Sequence, residues 1–341
     1  MHRKQFLSAL VPATLALSSF KAGGNNAVKP KLQNLRIPPY LKPGDTIGIT
    51  SPAGYISLED VQPAVQLMQS WGFKIEMGKT VGKRDFTMGG TADERTDDLQ
   101  YMLNNPNIKA IMCARGGYGV VQIIDRLSFT QFKAHPKWVI GFSDITVLHN
   151  HIHTNCHVAT LHSKMCNSFP ADWNKAEPIQ IETILSIKQA LTGEKLQYNA
   201  TASAFNRMGK VSAPLVGGNL SLVANLTGTP SDLDTRGKIL FLEDTGEYLY
   251  NIDRMLYNLK RSGKLSHLAG LIIGGFKVKA GEADDAFGKT IYDIVLDKVK
   301  PYQYPVCFDF PVGHQKNNFA LKCGTLHTLE VGGNGTILAS V

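Results

Sequence analysis

The sequence lacks three patterns that would assign a protein to a class at once. It has no uninterrupted apolar run of about 18 residues, which excludes a membrane-spanning helix. It has no block of Lys and Arg and no basic stripe interleaved with aromatic residues, so nucleic acid is not indicated as a partner. Only 19% of its residues are charged and 43% are hydrophobic, so the chain has enough apolar side chains to bury a core.

Cysteine is also scarce. The chain has five cysteines, an odd number without C-x-x-C spacing, which excludes a framework of disulfides. Three of them lie in apolar segments typical of a core. A single bridge, for example between Cys156 and Cys166, is left open by the sequence.

The first 27 residues differ from the rest of the chain. A basic head from His2 to Lys4 precedes an uncharged, largely apolar segment from Phe6 to Phe20, and a polar segment follows. This layout predicts a signal peptide over residues 1–27 and an exported, periplasmic protein. The alternative is an N-terminal extension on a cytoplasmic protein. The formal net charge of +8 includes three positive charges from this segment, so the remainder is only mildly basic.

Beyond residue 36, short apolar strands alternate with amphipathic helices, for example a strand over Ile108–Cys113 after a helix over Thr91–Asn104. Alternation of this kind predicts an α/β fold with a parallel sheet covered by helices on both faces. We predict a first domain over residues 36–165, a connector over 166–211 and a second, smaller α/β domain over 212–341. The alternating tail after Ala320 predicts β-hairpins with a turn at Gly332–Gly335.

Ser143 stands between a predicted strand, Trp138–Phe142, and a predicted helix that begins at Asp144. A sharp strand-to-helix turn exposes a serine hydroxyl above a sheet edge, where free N–H groups of the helix can stabilise an oxyanion. The spacing departs from G-x-S-x-G, because Ile145 occupies the place of the second glycine. Taken alone, the segment favours an N-cap role for Ser143.

Three further segments carry chemistry. Arg115 and the glycines up to Gly119 follow a strand, and such a loop suits either an anion or a plain turn. Glu243 ends another strand, where it could orient a histidine or simply be solvated. His314, in a loop with Gly313, could act as a general base. The order Ser143, Glu243, His314 matches a nucleophile, an acid and a base.

A histidine cluster offers a competing interpretation. Five of the ten histidines are His149, His151, His153, His157 and His162, and the first and third are four residues apart on a predicted helix. Such a spacing can hold zinc, but H-E-x-x-H is missing and acids nearby are few, so we predict no metal site. G-x-G-x-x-G is also missing, which argues against a dinucleotide, and we predict no cofactor.

Seven segments together resemble the LD-carboxypeptidase family, which includes muramoyltetrapeptide carboxypeptidases and microcin C immunity proteins. The resemblance runs from about Pro43 to Val331. Its motifs are G-D-T-I-G-I-T-S-P-A at Gly44, A-R-G-G-Y-G at Ala114, G-F-S-D-I-T at Gly141, L-V-G-G-N-L-S-L at Leu215, F-L-E-D at Phe241, I-D-R-M-L at Ile252 and P-V-G-H at Pro311.

The resemblance implies a role for each matching residue. It makes Ser143 the nucleophile, His314 the general base and Glu243 the acid that orients it, with the backbone N–H groups of Gly117 and Asp144 as the oxyanion hole. It further implies a flavodoxin-like N-terminal domain, an active site in the cleft between the domains, a homodimer, and no metal. The implied reaction is removal of the terminal D-alanine from murein tetrapeptides in cell-wall turnover.

The sequence departs from the family at Ser163-Lys164, which replace Gly-Pro in an H-G-P-M segment. This change leaves the substrate open. Arg115 is the candidate that binds the substrate carboxylate, or else it ties the glycine loop to acids. The alternatives are an immunity-type hydrolase of aminoacyl-nucleotide peptides, with Trp173 as the candidate for stacking on a base, and a non-catalytic periplasmic binding protein.

Overall fold

The computed structural model describes residues 35–279 and 287–341, so the predicted signal peptide over residues 1–27 lies outside the described residues. The strands in this part of the chain form two sheets. They are β1 (Thr46–Thr50), β2 (Lys74–Met77), β3 (Ile108–Cys113), β4 (Trp138–Gly141), β5 (Thr160–His162), β6 (Gln197–Ala200), β7 (Gly209–Asn219), β8 (Ile239–Glu247), β9 (Gly270–Val278), β10 (Val306–Cys307), β11 (Leu321–Cys323), β12 (Leu326–Gly332) and β13 (Gly335–Ser340).

Several helices of the described residues begin where the sequence offers caps. Ser57 accepts a hydrogen bond from the Asp60 N–H, and Thr91 forms a reciprocal capping box with Glu94. None of these helices combines the length and apolarity needed to cross a bilayer. They are α1 (Leu58–Ser70), α2 (Ala92–Asn104), α3 (Val120–Ile123), α4 (Thr130–Ala134), α5 (Thr146–Cys156), α6 (Pro178–Thr192), α7 (Leu220–Asn225), α8 (Leu249–Arg261) and α9 (Ile291–Val299).

The first sheet has the strand order β11-β5-β4-β3-β1-β2. Neighbours from β2 through β5 pair in parallel, and only β11 runs antiparallel. The order β2-β1-β3-β4-β5 is that of flavodoxin-like folds, whose ligand sites lie beyond the carboxyl ends of the strands. The predicted α/β class and the parallel N-terminal sheet are confirmed.

The second sheet has the order β10-β9-β8-β7-β12-β13-β6. Strands β7 to β10 pair in parallel, as the buried apolar runs over β8 and β9 predict, whereas β12, β13 and β6 pair antiparallel. The predicted hairpin turn at Gly332–Gly335 is present between β12 and β13.

Two strands join sheets that their sequence position did not indicate. β11, in the tail of the chain, pairs with β5 of the first sheet, and β6, from within residues 166–211, forms an edge of the second sheet. The chain therefore crosses back to the first sheet after His314. Alternation of apolar and polar residues predicts a strand but not its partner.

All five cysteines are buried and free. Burial raises the pKa of each thiol, for example to about 11 for Cys156 and to about 12 for Cys166. A thiol with a raised pKa is a poor nucleophile, so these side chains act as small core residues.

Candidate active site

Ser143 lies directly beyond β4, in a single 3₁₀ turn (Ser143–Ile145) that leads into α5. Its backbone has a φ of +61°, a left-handed conformation that costs a non-glycine residue about 1–2 kcal/mol. The turn needs a glycine before it, because a Cβ on Gly141 would come within 2.8 Å of the Ile145 Cγ1. This strained turn points the hydroxyl away from the sheet and into the site.

The interpretation of Ser143 as an N-cap is wrong. The residue that precedes the 3₁₀ turn is Phe142, and no side chain caps the turn. The Ser143 Oγ instead lies 3.2 Å from the Nε2 of His314. The reason is the left-handed backbone of Ser143, which turns the side chain away from the free N–H groups of the helix.

Glu243 lies on β8, where it pairs with Asn219 of β7. It is fully buried, so it is not the solvated strand end that the sequence also allowed. Its Oε2 lies 2.6 Å from the Nδ1 of His314. Burial raises the pKa of the Glu243 carboxyl, and the hydrogen bond with His314 opposes that rise. The carboxylate therefore depends on the imidazole for its stabilisation.

His314 lies in the loop over residues 308–320 between β10 and β11, named here the His314 loop. Gly313 gives the loop its close approach to β8, because a Cβ there would come within 2.5 Å of the Glu243 Cβ. The Gly313 N–H donates to the Oδ1 of Asn318, 2.7 Å away, and the ring of Phe142 lies 4.9 Å from that of His314. These contacts fix the imidazole between the acid and the hydroxyl.

The glycine loop, residues 114–119 after β3, borders the hydroxyl. A Cβ on Gly116 would come within 3.2 Å of the Ser143 Oγ, so only glycine lets the backbone approach this closely. Gly117 has a φ of +107°. Among the described residues, neither the Gly117 N–H nor the Asp144 N–H donates a backbone hydrogen bond outside the regular elements. Both donors are available to an oxyanion.

The side chain of Asp144 supports the glycine loop. Its Oδ2 accepts a hydrogen bond of 2.8 Å from the Val120 N–H, and burial raises its pKa to about 6. The family motif indicates a role for the backbone N–H of this residue, whereas the structure adds one for its side chain. The carboxylate ties the end of the glycine loop to the turn that carries Ser143.

Arg95 is a structural residue of the site that the sequence analysis missed. It is fully buried on α2, and its guanidinium donates to the carbonyl oxygens of Gly90, Pro52 and Gly119. It therefore connects three segments of the N-terminal domain, one of which is the glycine loop. The available signal was its spacing, because Arg95, Leu99 and Met102 share one apolar helix face.

Comparison with known proteins shows the family of this chain. Residues 47–163 match the LD-carboxypeptidase N-terminal domain, and residues 212–329 match the LD-carboxypeptidase C-terminal domain. The chain belongs to the LD-carboxypeptidase family. It is accordingly an enzyme, a hydrolase of the serine carboxypeptidase type.

Named relatives of this LD-carboxypeptidase fall into two groups. The probable murein peptide carboxypeptidase of Bacillus subtilis is 33% identical over 84% of this chain and 89% of its own length. The crystal structure of muramoyltetrapeptide carboxypeptidase from Oxalobacter formigenes superimposes with a TM-score of 0.76 at 25% identity, covering 86% of this chain and 98% of that one. The microcin C7 self-immunity protein of Escherichia coli is 27% identical over 82% of this chain and 89% of its own length.

Two candidates from the sequence of this LD-carboxypeptidase form no hydrogen bond with Ser143, Glu243 or His314 in the part of the chain that the structure describes. Arg115 donates to the Tyr55 carbonyl at 3.1 Å, on the exposed side of the glycine loop, and pairs with no acid of the described residues. Trp173 is half-buried against the core. In residues 35–279 and 287–341 no group of three or more His, Cys, Asp or Glu is placed to hold an ion.

The two histidines with the spacing of zinc ligands are His149 and His153. His149 is buried, with its Nε2 2.9 Å from the Gly141 carbonyl, so it supports the turn before Ser143. Burial lowers the pKa of both His149 and His153 to about 4. Both rings are therefore neutral at pH 7, as part of the packing around α5.

Proposed function

We propose that this LD-carboxypeptidase removes the terminal D-alanine from murein tetrapeptides through a Ser143–His314–Glu243 triad. The observation that carries the proposal is the chain of two contacts, 3.2 Å from the Ser143 Oγ to the His314 Nε2 and 2.6 Å from the His314 Nδ1 to the Glu243 Oε2. A base within reach of the hydroxyl, itself oriented by a carboxylate, is the arrangement that activates a serine.

The first step forms an acyl-enzyme. With its Nδ1–H donating to Glu243, His314 accepts the hydroxyl proton at Nε2 while the Ser143 Oγ attacks the carbonyl before D-alanine. The N–H groups of Gly117 and Asp144 stabilise the oxyanion, and each such donor contributes about 10²–10³ in rate in other hydrolases. His314 then protonates the departing amine, the C–N bond breaks, and D-alanine leaves.

The second step releases the tripeptide. A water molecule gives its proton to the Nε2 of His314 and attacks the ester of Ser143. The same two N–H groups stabilise the second oxyanion, and the ester C–O bond breaks as the proton returns to the Ser143 Oγ. Glu243 keeps His314 in one tautomer and one ring orientation through both steps, because its Oε2 accepts the hydrogen bond of the Nδ1–H.

The substrate is the part of the proposal that needs a direct comparison. Purified protein is incubated with a murein tetrapeptide and, separately, with an aminoacyl-sulfamoyl nucleotide of the kind found in complex with the microcin C7 self-immunity protein. We expect release of D-alanine from the first and little cleavage of the second. The reverse preference would assign the chain to the immunity-type function, which its similarity to the E. coli self-immunity protein makes the second candidate.

We also propose that the protein is exported and acts as a homodimer on wall fragments in the periplasm. The basic and apolar composition of residues 1–27 supports export. Fractionation of cells that produce the full chain, followed by size-exclusion chromatography with light scattering on the periplasmic fraction, tests both statements. A full-length product in the cytoplasm would reject export, and a monomeric mass would reject the dimer.

A further inference from the structure

Lys164 brings a cation to the edge of the active site. It follows β5, whose neighbour β4 carries Ser143 at the same edge of the sheet. The Lys164 Nζ donates to the Gln315 carbonyl at 2.6 Å and lies 5.6 Å from the centre of the Phe142 ring. Gln315 and Phe142 are the sequence neighbours of His314 and Ser143, so the ammonium lies beside the triad.

This ammonium has no carboxylate partner among the described residues. Its single recorded hydrogen bond goes to a backbone carbonyl. The negative charge of Glu243 acts on the Lys164 ammonium, but that carboxylate is hydrogen-bonded to His314. Burial and, to a smaller extent, the positive charge of Lys277 lower the pKa of Lys164 to about 8. A half-buried cation of this kind is stabilised by an anion that arrives with the substrate.

Lys277 adds a second positive charge on the same side. It lies near the end of β9, two residues after Gly275, whose backbone bridges to Gly313 of the His314 loop. Its side chain is exposed, and its charge acts on Lys164. The two lysines thus make the electrostatic potential next to His314 more positive, which favours the binding of an anionic group there.

The proposed reaction indicates which anionic group of the substrate lies near the two lysines. His314 must protonate the amine of the departing residue, so that amine lies within hydrogen-bonding distance of the Nε2. The α-carboxylate of a C-terminal residue is separated from its amine by one carbon atom. It must therefore lie close to the His314 loop, and Gln315 of that loop holds Lys164.

We propose that the Lys164 ammonium, assisted by Lys277, binds the α-carboxylate of the departing D-amino acid and so restricts cleavage to the C-terminal residue. The inference rests on the proposed function and gives it a specificity-determining residue. It assigns this role to the lysine that departs from the family segment rather than to Arg115, whose guanidinium is held by Tyr55. A purely structural Lys164 would only tether the His314 loop.

The test compares a murein tetrapeptide that ends in D-alanine with the same peptide that ends in D-alaninamide. The wild-type protein is expected to prefer the free acid by at least about tenfold in kcat/KM, because a charge-assisted hydrogen bond is lost with the amide. Lys164→Met keeps the apolar stem and removes the charge. It is expected to lose about tenfold on the acid, mainly through KM, and to leave the amide nearly unchanged.

Two further variants sharpen the comparison. Lys164→Arg retains a positive charge and is expected to restore part of the preference for the acid. Lys316→Met is the matched control, because Lys316 lies in the His314 loop that Lys164 contacts but pairs with Glu177 at 2.6 Å. An equal loss on acid and amide in Lys164→Met would overturn the assignment in favour of a tether, as would a wild-type protein that does not distinguish the two peptides.

Binding to the Ser143→Ala variant separates this inference from the proposed function. Calorimetry with that variant measures the affinity for the acid and for the amide without turnover, and the double variant with Lys164→Met repeats the measurement. A preference for the acid that disappears in the double variant supports the carboxylate site even if the wild-type protein releases no D-alanine. Equal affinities for acid and amide in the single variant would reject the site.

Discussion

The backbone of Gly116 lies against the side chain of Ser143, so that a Cβ on residue 116 would come within 2.9 Å of the Ser143 Cβ. The glycine loop therefore leaves no space for a side chain beside the nucleophile. This contact joins the end of β3 to the end of β4, and it brings the proposed oxyanion donor at Gly117 next to the reacting hydroxyl.

Gly116→Ala is expected to reduce kcat/KM by at least about 100-fold, because the new methyl group displaces Ser143 from His314 and a shift of about 1 Å at a reacting group can cost that much. Steady-state release of D-alanine measures it. Gly333→Ala is the control, since nothing lies within 4 Å of a Cβ at that position. Full activity in Gly116→Ala would contradict the proposed geometry.

The strain at Ser143 predicts an unusual order of stabilities. Ser143→Gly relieves the left-handed backbone and Ser143→Ala does not, so the glycine variant is expected to have the larger free energy of unfolding, by about 1 kcal/mol. Urea denaturation of both variants measures the difference. At Ser70, in α1, the order should be the opposite, because glycine destabilises a helix. If Ser143→Ala were more stable than Ser143→Gly, as expected of the corresponding variants at Ser70, Ser143 would be unstrained.

Glu243→Gln is expected to lower kcat by at least about 100-fold with little change in KM, because the amide neither fixes the His314 tautomer nor stabilises the imidazolium. Initial rates over a range of tetrapeptide concentrations separate the two constants. Glu330→Gln, at an exposed acid paired with Lys210, should behave like the wild type. A KM effect with normal kcat would place Glu243 in substrate binding instead.

Asp144 predicts a pH dependence of stability. Its pKa is raised from 3.8 to about 6, so folding favours the protonated form. The corresponding stabilisation is present below pH 3.8, is lost as the pH rises through 6, and amounts to about 3 kcal/mol. Asp144→Asn removes this dependence, so the variant should gain stability relative to the wild type between pH 4 and pH 7.

Urea denaturation of both proteins at pH 4 and pH 7 measures this relative gain. Asp97→Asn, at an exposed acid on α2, is the control for the loss of a surface charge. An Asp144→Asn variant whose difference from the wild type is constant would show that the carboxyl has an ordinary pKa in the folded protein.

Much of the fold could be predicted because its elements carry local signals. The apolar run over Ile108–Cys113 is β3 without any change of bounds, and the caps at Ser57 and Thr91 mark the starts of α1 and α2. The partner of β11 could not be predicted, because its pairing with β5 depends on a return of the chain over about 160 residues. Local patterns do not encode such long-range contacts.

The three polar groups of the triad could be assigned only through the family motifs. From local rules alone, Ser143 is an N-cap, since a sequence does not display the positive φ that turns its hydroxyl toward His314. Arg95 was missed because an arginine on an apolar helix face normally reaches solvent, whereas here three carbonyl groups surround it. Lys164 was noticed only as a departure from a motif.

The most direct test of the account is the release of D-alanine from a murein tetrapeptide by the wild-type protein and by Ser143→Ala, with matched thermal denaturation curves to show that both are folded. We expect steady release by the wild type and a rate lower by several orders of magnitude for the variant, with residual catalysis from the oxyanion donors. Equal rates from the two folded proteins would contradict it, because the hydroxyl 3.2 Å from the His314 Nε2 would then take no part in the reaction.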